Sequence, residues 1–343
     1  MPSARSVPAP ISIQSSRVRG RSERNKEART FMADLILHHY ATSPFSEKLR
    51  LILGYKKLTW KSVIIPQVMP KPDLIALTGG YRKTPVLQIG ADIYCDTALI
   101  CDVLEHISPL PSIYPEPGKG LERVVAQWGE TTLFWAAMAY SFSGKGAADL
   151  FGKAPPELAK AFGEDRKAMS VNMVRHRPGD AAAAYKSYLR RMSDMLDDTD
   201  YLLGGFPTVA DFACYHPLWF TRKRTPSMAG ILQLTPAVGD WMDRMAAIGH
   251  GTMETFDAEQ AIAVAAASTP HTLLSDSTFQ DEHGIPLGTR VTVAGESFGP
   301  EPTEGELIAA TRTHYTLRRT DPRAGTVHVH FPRVGYAMRK VEG

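Results

Sequence analysis

Ser43 opens the stretch of this chain best equipped for chemistry. It lies in Leu35-Ile36-Leu37-His38-His39-Tyr40-Ala41-Thr42-Ser43-Pro44-Phe45-Ser46-Glu47-Lys48-Leu49-Arg50. A short apolar run breaks at Thr42-Ser43-Pro44. Apolar residues resume as Phe45, Leu49, Ile52 and Leu53, the spacing of one helix face. A buried strand therefore feeds a tight turn, and the turn opens a helix. Pro44 suits the first helical position, where the amide that proline lacks would go unpaired in any case. Ser43 then falls at the cap, its hydroxyl beside free backbone N–H groups and the positive end of the helix dipole. Such a place can stabilise an anion, a thiolate included. On this stretch alone a plain helix cap is the favoured reading of Ser43. Tyr40, at the end of the strand, and Ser46, facing the next turn, are the other hydroxyls that could serve.

Further on, Gly79-Gly80-Tyr81-Arg82-Lys83-Thr84-Pro85-Val86-Leu87-Gln88-Ile89-Gly90 joins a turn to a strand with proline at its start. Proline is tolerated there only at an edge, a first residue or a special bond, and X-Pro is where a cis peptide is accessible. Asp92-Ile93-Tyr94-Cys95 reads as a second short strand, followed by a helix capped by Asp96 or Thr97. Taken together, these pieces resemble the glutathione-binding domain of the glutathione transferase family, and most closely its serine-type classes.

The resemblance implies a thioredoxin-like fold with Ser43 as the hydroxyl at the first helix and a cis Thr84-Pro85 bond before the third strand. Carried over by position, Thr84 would pair its backbone with the cysteinyl amide of glutathione. Asp96 and Thr97 would take the γ-glutamyl end and Lys83 the glycyl carboxylate. Tyr40 stands where the tyrosine-type classes place their donor; it ranks second, with packing its expected role. Without the family, Asp96 reads as a helix cap and Lys83 as a solvated cation. Tyr81-Arg82 replaces the family's commoner small or Gly-rich entry, which touches the glycyl contact.

The reacting group implied is the thiol of glutathione, a co-substrate, with no metal. A free thiol has a pKa of about 8.5 and attacks as the thiolate. A helix N-terminus contributes roughly 0.3–1 kcal/mol, up to about 2 when partly buried, and so lowers a pKa by about one unit. A hydrogen bond to the charged sulfur adds about 1.5–3 kcal/mol. The dipole alone is marginal, so a donor such as Ser43 is needed. Trp128 and Trp135 fall on the helix that lines the electrophile pocket in this family, although an aromatic stripe at helical spacing is more often core. The leading expectation is a glutathione transferase acting on a small apolar electrophile. Glutathione-dependent lyase, isomerase or dehalogenase chemistry on the same fold is an alternative, as is a non-catalytic interaction scaffold, and a homodimer is a further expectation. Fold-level analogy cannot choose among them.

The frame that must position these groups is ordinary for a globular chain of 343 residues, with 43% hydrophobic and 22% charged residues. The net charge of +3 is unevenly spread: residues 1–31 carry +5 and the rest −2. The folded part therefore lacks a polybasic signature for nucleic acid. Cys95, Cys101 and Cys214 show neither metal-ligand nor disulfide-framework spacing and read as core residues in a reducing, cytoplasmic setting. No stretch approaches the roughly 20 apolar residues that span a bilayer, so no membrane partner is expected.

Four segments follow. Residues 1–31, rich in Ser, Arg and Pro, read as a disordered extension. Residues 32–113 read as β-α-β-α-β-β-α, the thioredoxin-like domain. Residues 114–268 look all-helical, with patches at Leu121–Phe142, Pro156–Ser170, Ala181–Leu196, Thr208–Phe220, Pro236–Ile248 and Ala258–Ala267. Within them, Thr208 and Asp211 form a capping box, a structural device; Gly144 to Asp180 departs from the family pattern and suggests a lid or insertion. Residues 269–343 alternate as about five short strands, which suggests a small β-barrel, with a hairpin turn at Thr320–Gly325. His328 and His330 share one strand face and read as an interface or solvated face, since zinc normally recruits three or four protein ligands.

Overall fold

A ten-stranded sheet carries the molecule. The computed structural model describes residues 34–342 except Val174, Arg175, Thr272, Ser275 and Ser277; the expected extension at residues 1–31 lies outside the described residues. The first part has the order read from the sequence. Its elements are β1 (Ile36–His39), α1 (Pro44–Tyr55), β2 (Thr59–Ile64), α2 (Pro72–Thr78), β3 (Val86–Ile89), β4 (Asp92–Cys95) and α3 (Thr97–Ile107). β1 pairs parallel with β2 and antiparallel with β3, and β3 pairs antiparallel with β4. This is a thioredoxin-like sheet. Strand alternation divides its side chains between two cores. Leu35, Leu37, Leu87 and Tyr94 join the core shared with α1, α3 and the helical part, while Ile36, Val86, Ile93 and Cys95 join a core on the opposite face.

The helical part contains α4 (Lys119–Trp128), α5 (Phe134–Ser141), α6 (Gly144–Phe151), α7 (Pro156–Met169), α8 (Pro178–Met195), α9 (Val209–Arg224) and α10 (Pro236–Ala246). The helix anticipated over Leu121–Phe142 is interrupted by a π-helical turn at Gly129–Leu133. Gly129 is required there because a Cβ would lie 2.8 Å from Cys214 Sγ, on the crossing helix α9. α9 is buried from Val209 to Leu218 and forms the axis of this part. Its capping box is present, and Asp211 does more than close it. Oδ2 accepts from the Thr208 amide (2.9 Å), and Oδ1 accepts from the Leu202 amide (2.8 Å) and Trp241 Nε1 (2.9 Å).

After α10 the chain returns to the sheet. β5 (Thr252–Thr255) pairs parallel with β2 at the exposed edge, and α11 (Ala258–Ala267) packs on α2 and on the strand Gly325–Pro332. The strands β6 (Arg290–Gly295), β7 (Thr303–Ala310), β8 (His314–Asp321), β9 (Gly325–Pro332) and β10 (Tyr336–Lys340) complete the chain. The β8–β9 hairpin turns where the sequence indicated, with Gly325 at φ 68°.

The anticipated barrel does not close. β10 pairs with β6 alone, and β9 pairs parallel with β4, so the five strands extend the thioredoxin-like sheet in the order β10-β6-β7-β8-β9-β4-β3-β1-β2-β5. Burial of all four β4 residues reflects this second neighbour. The seam is polar and fully buried: His330 Nε2 donates to Asp92 Oδ1 (2.8 Å), Thr316 Oγ1 meets His330 Nδ1 (2.9 Å), and the Tyr94 ring stacks on His330 at 4.5 Å. His328 and His330 thus occupy an interface strand face. Among the described residues no helix is long and apolar enough to cross a membrane, and the three cysteines are buried and unpaired.

Candidate functional site

Topology brings the expected site residues to one end of the sheet. β1 and β4 are each antiparallel to β3 and so point the same way. The chain leaves β1 through Ser43, enters β3 through Thr84-Pro85 and leaves β4 through Asp96-Thr97, all at that end.

Ser43 caps α1 with extended backbone (φ −74°, ψ 124°), and Pro44 is the first helical residue. Its Oγ accepts from the Ser46 amide at 3.2 Å, and its hydroxyl is also hydrogen-bonded to Tyr40. The residue is 2% exposed. The Ser46 hydroxyl is buried and makes no hydrogen bond to the described residues. The Tyr40 hydroxyl accepts from Arg166 Nη2 at 3.2 Å. Burial raises the Tyr40 pKa, and Arg166 together with a hydrogen bond from Ser43 partly offsets it, so Tyr40 is a neutral phenol.

The Thr84-Pro85 bond is cis, as the resemblance implied. Asp96 has φ 75°, a left-handed value rare outside glycine and concentrated at functional sites. Its Oδ1 accepts from the Ala98 amide (3.0 Å), capping α3. Its Oδ2 accepts from the Tyr336 hydroxyl (2.9 Å) and lies 4.0 Å from Lys83 Nζ. Lys83 and Asp96, assigned by resemblance to opposite ends of a tripeptide, therefore share one end here. Burial lowers the Lys83 pKa, with Asp96 pulling the other way.

Thr97 is tied into the junction with the helical part. Its Oγ1 donates to Glu130 Oε1 (3.0 Å) and accepts from Lys48 Nζ (3.2 Å), and Lys48 Nζ also reaches Glu130 Oε1 at 2.5 Å. Glu130 sits on the π-helical turn, with His216 Nε2 3.8 Å away. Both His216 ring nitrogens are buried without a hydrogen bond to the described residues, and burial holds its pKa well below the usual imidazole range. Trp135 turns toward Phe298 of the β6–β7 connection (5.1 Å between rings), whereas Trp128 packs edge-on against Tyr188 of α8.

Three elements that the sequence reading did not bring here complete the surroundings. α7 lies in the interval set apart as a lid or insertion; Arg166 binds Tyr40 and the Gln67 carbonyl, and the neighbouring Asp165 pairs with Arg82 Nη1 at 2.5 Å. Glu301, after β6, accepts from Arg82 Nε at 2.6 Å. Tyr336, at the start of β10, closes over Asp96. The charge density of Glu164-Asp165-Arg166-Lys167 was a visible signal for α7. Nothing local marks Glu301 or Tyr336, which lie more than 200 residues from their partners.

Residues 37–112 match the family described as glutathione S-transferase, N-terminal domain, and residues 175–244 the corresponding C-terminal domain. A solved GST-like protein from Pseudomonas syringae is 40% identical, with a TM-score of 0.75, covering 90% of this chain and 100% of its own. That share cannot be reached without including C-terminal strands. The chain therefore belongs to the family of glutathione S-transferase-like proteins. A glutathione S-transferase from Rhodospirillum rubrum is 20% identical (TM-score 0.47), covering 62% of this chain and 88% of its own. A glutathione S-transferase from Methylobacillus flagellatus with glutathione bound is 18% identical (TM-score 0.47), covering 63% and 99%. None of the curated proteins compared matches the chain.

Proposed function

We propose that this protein binds glutathione at the end of the sheet occupied by Ser43, Thr84 and Asp96, ionises its thiol and transfers it to a small apolar electrophile. The observation that carries this reading is Ser43: a hydroxyl at the N-terminus of a twelve-residue helix, hydrogen-bonded to the Ser46 amide and to Tyr40 and able to turn its proton to an arriving sulfur. The thiol sulfur would sit before that N-terminus, where the helix dipole and the Ser43 proton both favour the thiolate. The dipole supplies about one pKa unit and the hydrogen bond about one to two more, enough to bring a thiol from about 8.5 to near neutrality. The Thr84 backbone would pair with the cysteinyl amide, Pro85 holding that backbone in place. Asp96 and Thr97 would face the γ-glutamyl end, and Lys83 would act as the local cation. Arg166 polarises Tyr40, which makes Tyr40 the second-ranked donor. Trp135 would line the electrophile side. The three unpaired cysteines fit a cytoplasmic setting, and a homodimer is carried over with the family.

A second reading keeps the fold as a scaffold without turnover. It is favoured by the near-complete burial of Ser43 and by the contacts already made to Asp96. Retention on immobilised glutathione, followed by a panel of electrophiles, separates the two. Retention with turnover supports the transferase, retention without turnover supports the scaffold, and no retention sinks the glutathione site.

A further inference from the structure

The C-terminal strands reach the end of the site that the glutathione reading assigns to the γ-glutamyl group. Both Asp96 oxygens are engaged there, Oδ1 by the Ala98 amide and Oδ2 by the Tyr336 hydroxyl at 2.9 Å. Lys83 Nζ lies 4.0 Å from the same Oδ2 and sits over the rings of Tyr336 (4.4 Å) and Tyr81 (5.3 Å). The lysine stem is held by the β6–β7 connection: a Cβ on Gly299 would come within 2.8 Å of Lys83 Cγ. That connection is anchored in turn, the Gly299 amide donating to the Met169 carbonyl (2.8 Å) and Phe298 packing on Trp135. Tyr336 is fixed by ring contacts with Phe331 (5.7 Å) and Tyr81 (6.4 Å).

An α-ammonium arriving at Asp96 would have to compete with the tyrosine hydroxyl for Oδ2. It would also meet a lysine ammonium that already neutralises the carboxylate. Like charges at such separations repel, and the effect grows as water is excluded. An acyl group without the ammonium meets neither obstacle, while the carboxylate that both groups carry meets Lys83 alike.

We infer that Tyr336 and Lys83 determine specificity at this end of the site, selecting a thiol peptide whose far end is a purely anionic acyl group over one that carries an α-ammonium. The inference rests on the glutathione-site reading and names the ligand class within it.

The test compares glutathione with its des-amino analogue, glutaryl-cysteinyl-glycine, by titration calorimetry on the wild-type chain, Tyr336→Phe and Lys83→Met. Thermal melts confirm that each variant is folded. Phenylalanine keeps the ring packing and removes only the hydroxyl; methionine keeps the stem and removes the charge. The wild type should bind the analogue about tenfold more tightly, the scale of one hydrogen bond to a charged group. Each variant should narrow that ratio at least about threefold, by favouring glutathione relative to the analogue: Tyr336→Phe removes the competing hydroxyl and Lys83→Met the repelling charge. Equal binding of the two peptides by wild type, or a ratio unchanged in both variants, overturns the inference while leaving the site in place. If neither peptide binds any form, the glutathione-site reading fails and takes the inference with it.

Discussion

Replacing Lys48 with methionine removes a cation that the fold has almost fully enclosed. The Lys48 side chain is 1% exposed and that of Glu130 14%, with 2.5 Å between Nζ and Oε1. Burial opposes the lysine charge, but the Cys101 and Glu130 side chains beside it more than compensate and raise its pKa. The pair joins α1 to the π-helical turn and so couples the thioredoxin-like part to the helical part. Methionine fills the volume of the lysine stem, so the variant leaves little cavity. What it leaves is a carboxylate held, among the described residues, by the Thr97 hydroxyl, with an imidazole whose pKa burial has lowered 3.8 Å away.

Breaking a buried pair from one side costs about 3–5 kcal/mol. The residual exposure of Glu130 places this case at the lower end, about 3 kcal/mol. For a chain of this size that is a fall of about 6 °C in melting temperature. Removing both charges in Lys48→Met/Glu130→Met should restore most of the loss, because matched apolar residues replace a buried pair at little net cost. Urea unfolding of the four forms of the double-mutant cycle should give a coupling of about 2 kcal/mol. A single Lys48→Met variant losing less than about 1 kcal/mol would refute the reasoning. So would a double variant no more stable than Lys48→Met.

Glu122 is buried on α4, and burial followed by the Asp211 and Glu116 charges pushes its carboxyl up to about 7. Its folded pKa exceeds its unfolded value of 4.5, so the ionised group costs stability above pH 7, and that cost disappears as the pH falls toward 4.5. Glu122→Gln should therefore stabilise the protein by about 2 kcal/mol at pH 8 and change little at pH 4.5; melting curves at the two pH values check both signs, and equal effects would contradict the assignment. Asp92→Ala should strip His330 of its acceptor at the β4–β9 seam, at a cost of about 2–3 kcal/mol. Amide hydrogen exchange should quicken in β8 and β9 while β1 and β2 remain protected, and uniform change across the sheet would argue against a local seam.

The legible part of this fold was the part written in local pattern. The apolar spacing after Pro44 gave α1, and Thr208 with Asp211 announced α9. The alternation before and after Thr320–Gly325 gave the β8–β9 hairpin. Pairings distant in sequence were not legible. Nothing in Asp92-Ile93-Tyr94-Cys95 names His328 and His330 as its neighbours, since parallel pairing leaves no turn between the strands to read. A barrel was the natural expectation for five strands viewed alone, and it failed because β4 offered β9 an open edge. The π-helical turn was hidden for a related reason: only the approach of Cys214 explains why Gly129 is needed.

The same division runs through the site. Ser43, Thr84, Pro85, Asp96 and Thr97 follow short motifs, so their placement at one end of the sheet could be anticipated. Arg166 and Tyr336 reach that end from a helical insertion and from the last strand. Their roles depend on tertiary contacts with Tyr40 and Asp96 that no spacing encodes.

The central claim is that Ser43 donates to a bound thiol, and the ionisation of that thiol reports on it directly. Titrating the ultraviolet thiolate absorbance of bound glutathione against pH measures it in wild type, Ser43→Ala and Tyr40→Phe. In wild type the bound thiol should titrate about two to three units below its free value of about 8.5. Ser43→Ala should move it back up by about one to two units, with turnover at neutral pH falling about 10- to 100-fold and affinity changing far less. Tyr40→Phe should move it by clearly less. A bound thiol that titrates like free glutathione in the wild type would contradict the account, and a shift abolished by Tyr40→Phe but untouched by Ser43→Ala would show that the donor is Tyr40.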